Sequence, residues 1–144
     1  MRIILPSIAV LVMGCPMSES TSPEQAAQEQ FEAAAETPVG VIGARFAGHL
    51  VAKDFERASE MLAPSLRDDS SPTELGSRYE AMIEYAGVPA ESVQPVTTMT
   101  DWPGKRPGDQ GWVYVAIDGQ GFSEGVTLIV TDDGGIREIE WGRP

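Results

Sequence analysis

Three runs near the C-terminus alternate or concentrate apolar residues at the period of a β-strand: WVYVAI (112–117), FSEGVTLIVT (122–131) and IREIEW (136–141). Val, Ile, Tyr, Phe, Trp and Thr fill them, and Asp- and Gly-rich clusters separate them, which predicts an antiparallel meander with tight hairpins. Trp112, Tyr114 and Ala116 fall on one face of the first run and Val113, Val115 and Ile117 on the other. Both sets are apolar, so this strand is expected to be central and covered on both sides. On the next run Phe122, Glu124, Val126, Leu128 and Val130 share a face. In the last, strict alternation sets Arg137, Ile139 and Trp141 against Ile136, Glu138 and Glu140. Glu91 to Thr100 reads as a first strand, with Pro95 confined to an edge or a strand end.

Upstream the period changes to that of a helix. Val39, Ile42, Phe46 and Leu50 form one apolar stripe with His49 beside it. Asp54 caps a second, short helix in which Phe55, Ala58 and Leu62 share a face, and Ala63-Pro64 ends it. Leu66 to Ser70 reads as a polar connector. Ser71-Pro72-Thr73-Glu74 is a capping box, and Leu75, Tyr79, Met82, Ile83 and Ala86 follow at spacings of three and four before the stop at Gly87. The expected fold class is therefore α+β: three helices packed on a curved antiparallel sheet of about four strands.

The segment 15–37 is different in kind. It carries five Glu and no Lys or Arg, with Phe31 its only aromatic residue. It reads as an acidic tether. Ser22-Pro23-Glu24-Gln25 predicts a helix in its second half, marginal alone and expected to be mobile or loosely docked.

The formal charge of −12 argues against nucleic acid and against adhesion to anionic lipid, both of which need clustered Lys and Arg. It permits a basic protein partner. The single cysteine, Cys15, closes the apolar run IAVLVMG that follows Arg2. A charged start, an apolar stretch too short to span a bilayer and a small residue before the cut describe an export signal. Val12-Met13-Gly14-Cys15 resembles the lipobox of bacterial lipoproteins, with Met13 in place of the usual small residue. The resemblance implies cleavage of a signal peptide, residues 1–14, acylation of Cys15, and a lipid-anchored protein of the bacterial envelope. Acyl chains contributing about 0.8 kcal/mol per buried methylene would hold it at the membrane.

Two further stretches carry a second resemblance: FAGHLVAKDFERASEML (46–62) and SPTELGSRYEAMI (71–83), followed by strand pairs that end in Gly134-Gly135-Ile136. Together they resemble the nuclear transport factor 2-like superfamily, a cone-shaped α+β fold. Residues 38–144 would form that domain. The resemblance implies a pocket inside the cone, and its catalytic members use Asp and His there. The candidates for such a pocket are His49, Tyr79, Trp102, Trp112, Tyr114, Glu124 and Trp141, with Asp101 as a further acid. No phosphate loop, nucleophile motif or His/Cys cluster is present, and no cofactor or metal is expected. Asp132-Asp133-Gly134-Gly135 lacks the alternating oxygen ligands of a calcium loop and reads as a hairpin turn.

The expected role is a non-catalytic binding module for a protein or a small apolar ligand, with a homodimer through the open sheet face as one arrangement. Two readings of other classes stand beside it. A pocket enzyme of isomerase or hydrolase type would need His49 or Glu124 to face the cone interior. An inhibitor of a basic toxin or enzyme would use the acidic surface.

Overall fold

The computed structural model describes residues 22–144. The stretch 1–14, read from the sequence as a signal peptide, and Cys15 lie outside the described residues. Five helices precede the sheet: α1 (Pro23–Glu36), α2 (Pro38–Val51), α3 (Phe55–Glu60), α4 (Pro64–Asp69) and α5 (Pro72–Ile83), the last extended by a 3-10 turn at Glu84–Ala86. Four strands follow: β1 (Ala90–Met99), β2 (Asp109–Gly119), β3 (Phe122–Thr131) and β4 (Ile136–Trp141). They form one antiparallel sheet in the order β1-β2-β3-β4, the simplest topology for consecutive hairpins.

Local chemistry explains where the helices start. Ser22 accepts from the Gln25 amide at 3.3 Å while the Gln25 side chain accepts from the Ser22 amide at 3.1 Å, and Pro23 opens α1. Thr37, Asp54 and Ser71 cap α2, α3 and α5 by the one-way bond alone, each accepting from the amide three residues on; the box expected at Ser71–Glu74 is half-formed, because the Glu74 carboxylate pairs with Arg78 instead. Residues 23–36, assigned from the sequence to the acidic tether, thus form a helix. It lies along β1, buries Ala34 and reaches Thr97 Oγ1 through the Gln30 amide at 2.9 Å.

The connector expected at Leu66–Ser70 is mostly α4. Pro64 both stops the preceding segment and begins the next helix, because its fixed φ suits a first helical position. Arg67 then folds back and donates to the carbonyls of Glu60 and Leu62, at 2.8 and 2.9 Å. Leu62 lies beyond α3 and bridges Ile136 on β4, which fixes this corner to the sheet.

α2 lies across the inner face of the sheet. Phe46, Ala47 and Leu50 are fully buried against Val113, Val115, Val126, Leu128 and Val130, with Leu62 after α3 and Leu75 and Tyr79 of α5 closing the core. The approach is close enough that a Cβ on Gly43 would stand 2.9 Å from methyls of both Val113 and Val115. Only glycine permits that crossing at this depth.

Two sequence expectations need correction. β2 is covered on one side only: Val113, Val115 and Ile117 are buried, whereas Trp112, Tyr114 and Ala116 are half-buried on an outer face without a helix layer. Half-buried aromatic side chains there cover part of the strand themselves, so an apolar composition does not require a second layer. In β4 strict alternation fails. Ile129 pairs with Glu138 and Val130 with Ile136, so Arg137 is the extra residue of a bulge. The bulge returns Ile136 to the same core as Ile139 and Trp141.

Candidate functional site

The outer face follows from the strand register. Across one row lie Met99, Trp112, Ile129 and Glu138; across the next lie Thr97, Tyr114, Thr127 and Glu140. Aromatic side chains therefore run down β2, Ile129 and Thr127 down β3, and two carboxylates down β4. Tyr114 lies over Gly125, whose added Cβ would stand 2.6 Å from the phenol. A glycine here admits the ring onto the strand backbone. Burial, and secondarily the Glu124 charge, raises the pKa of Tyr114.

The loop 100–108 roofs one end of this face. Lys105 donates to the Thr100 carbonyl at 2.5 Å, and its ammonium stands 5.7 Å from the centre of the Trp102 ring. Beneath the loop is a recess of about 340 Å³ lined by Trp102, Arg106, Trp112, Thr127, Glu138 and Glu140, among others. Thr127 is only 4% exposed, and its Oγ1 has no hydrogen-bond partner among the described residues.

An ion pair holds the loop to the sheet. Asp109, the first residue of β2, has a side chain 1% exposed, and Arg137 meets it bidentately at 2.6 Å (Nε–Oδ1) and 2.7 Å (Nη2–Oδ2). The Arg106 amide donates to the same carboxylate at 2.7 Å, and Arg137 Nη1 donates to Glu138 at 2.8 Å. The Arg137 hydrogen bonds outweigh burial and hold the Asp109 carboxyl down at about 2, against an ordinary 3.8. The same pairing raises the pKa of Arg137.

Of the residues singled out from the sequence, the structure brings Trp102 and Trp112 together at the recess and sets Tyr114 on the same face. His49, Tyr79, Glu124 and Trp141 do not line it. His49 is half-buried in the last turn of α2 and makes no side-chain hydrogen bond or ion pair among the described residues. Tyr79 belongs to the core, tilted against Phe55 at a ring distance of 6.2 Å, and burial, then the Glu80 charge, raises its pKa. It also walls a separate open cleft of about 710 Å³, whose rim carries the Lys53–Glu80 pair at 3.6 Å. Glu124 lies on the inner side of β3 opposite Ile117, where it accepts from the Tyr85 hydroxyl at 2.7 Å and stands 3.8 Å from Arg143. Trp141 packs on the core edge beside Arg78 and Met82. Asp101 is exposed in the loop.

Residues at the recess that the sequence reading missed divide into two kinds. Glu138 and Glu140 share a face by simple i, i+2 spacing, so their pairing was visible in principle. Asp109 and Thr127 carried no local signal, because what matters about them comes from partners or neighbours on other strands. The hairpin turn after β3 is as expected: the Asp133 carboxylate accepts from the Thr131 hydroxyl and from the Gly135 amide, and Gly134 takes positive φ. The Thr131 hydrogen bond chiefly lowers the pKa of Asp133.

Among the described residues, no group of three or more His, Cys, Asp and Glu is arranged to hold a metal ion, and no helix is long and apolar enough to cross a membrane. No known protein family, curated protein or solved structure matches this chain at a significant level.

Proposed function

We propose that this chain is an exported bacterial envelope lipoprotein, anchored through acylated Cys15, whose folded domain binds a protein or a small ligand without transforming it. In this reading the signal peptide is residues 1–14, and the domain is a cone-shaped member of the nuclear transport factor 2-like type. The observation that carries the binding role is the outer sheet face. Trp112, Tyr114 and Ile129 stand there without a covering helix, beside the recess under Trp102. An aromatic face with few convergent polar groups is the usual make-up of a recognition surface. The resemblances in the VMGC segment and in helices 46–62 and 71–83 support the anchor and the domain type.

The test uses benzoylphenylalanine, a photocrosslinking residue, in place of Tyr114 or Glu140 in cells, with exposed Glu56 on α3 as the control position. Intact-mass analysis of the irradiated protein should show an adduct at the two sheet positions and none at Glu56. Unmodified protein at every position sinks the binding role. An adduct of twice the chain mass would identify the occupant as a second copy. Anchoring is tested separately: Cys15→Ser should leave the protein unprocessed or free of the membrane fraction. Normal processing with unchanged membrane retention would refute it.

A further inference from the structure

We propose that the recess beneath Trp102 is a saccharide subsite, an inference that rests on the binding role of the outer face. Two features select the ligand class. First, Trp102 and Trp112 line the recess, and indoles offer flat apolar surfaces for the C–H face of a sugar ring. Second, its polar wall is mixed in sign. Arg106 has no ion-pair partner among the described residues, Glu140 has none either, and Glu138 shares one carboxylate oxygen with Arg137. An anion would meet Glu138 and Glu140, and a free cation would meet Arg106. A neutral polyol satisfies both, since each hydroxyl donates to a carboxylate or accepts from a guanidinium.

The Asp109–Arg137 pair gives the subsite its rigidity. It binds the Arg106 amide from one side and Glu138 from the other, so both polar walls are fixed to one buried support. The recess volume of about 340 Å³ sits at the small end of ligand pockets, in keeping with a short glycan segment.

The full chain, purified in detergent, would be applied to an array of plant, animal and bacterial glycans, and the ligands found would be titrated by tryptophan fluorescence. Saturable binding of at least one glycan is expected. Trp102→Ala should weaken it at least about tenfold, as loss of one stacking partner does. Glu140→Ala, at an exposed carboxylate without an ion-pair partner among the described residues, should weaken it about fivefold without lowering the thermal midpoint. Absence of glycan binding, or binding that neither variant weakens, overturns the proposal. Saturable binding of tetramethylammonium with no glycan bound would overturn it in favour of a cation site. Photoadducts at Tyr114 or Glu140 with a silent array would leave the binding role standing and remove only the saccharide.

Discussion

Asp109 and Arg137 join two strands that are not neighbours. Asp109 opens β2 and Arg137 is the bulged residue of β4, so their two parallel hydrogen bonds, at 2.6 and 2.7 Å, reach past β3. The bulge and the ion pair explain each other: the extra residue in β4 re-aims the arginine side chain, and the buried carboxylate gives it a partner. The same carboxylate also takes the Arg106 amide, which fixes the end of the Trp102 loop.

Asp109→Asn should therefore be costly. Removing one partner leaves a largely buried guanidinium with only the exposed Glu138 as counter-charge, a loss of about 3 kcal/mol, the low end for a broken buried pair. Urea denaturation should show the midpoint falling with little change in slope. Asp109→Asn combined with Arg137→Met should lose less than the sum of the single changes, since the two groups are in contact. Strict additivity would mean that the pair is not formed in solution.

The pair also sets an acid limb. Arg137 holds the folded-state pKa of Asp109 at about 2, below its ordinary 3.8, so the folded state binds fewer protons than the unfolded state in that interval. The stabilisation is complete above about pH 4 and is lost as pH falls through about 2. Between these values the wild-type protein should lose stability more steeply than Asp109→Asn. Parallel acid limbs would remove Asp109 from the account.

Two glycines of α2 should respond with opposite sign. A Cβ on Gly43 would stand 2.9 Å from methyls of Val113 and Val115, whereas one on Gly48 meets nothing within 4 Å. Gly43→Ala should cost about 1–3 kcal/mol through overpacking. Gly48→Ala should gain about 0.4–1 kcal/mol, because it restricts the unfolded chain at a helical position without a clash. Thermal melts of the two variants, compared with the parent, decide it.

The cap of α5 has a smaller and well-bounded effect. Ser71 Oγ accepts from the Glu74 amide at 3.2 Å, and Ser71→Ala should cost about 1 kcal/mol. A loss below the error of chemical denaturation would mean that packing of Leu75 and Tyr79 holds the helix start unaided.

This helix also shows what the sequence makes legible. Its signals are local: cap, proline, apolar spacing and the positive-φ Gly87 lie within one stretch. The three strands of the meander are legible for the same reason, since β-branched runs and Asp/Gly turns declare themselves over a few residues. Arg137 is the opposite case. Read alone, IREIEW alternates faithfully, and its bulge depends on a carboxylate 28 residues away. The bare outer face of β2 was missed because aromatic residues satisfy two descriptions, core and half-exposed platform, and only the path of the helices separates them. Trp102 and Trp112 could be picked out by type but not joined, because the loop 100–108 that brings them together is fixed by Lys105 and Asp109 contacts.

Thr127 tests how the outer face of the sheet is packed. Its hydroxyl is buried in the folded chain without a partner, so the fold bears a desolvation cost that valine of similar shape would not. Thr127→Val should leave stability unchanged or raise it by about 1 kcal/mol. A mid-strand position also favours a β-branched apolar residue. A fall in the thermal midpoint of the variant would show that Oγ1 is hydrogen-bonded in solution. A rise would show that the hydroxyl is unpaired in solution and that the fold carries its desolvation cost.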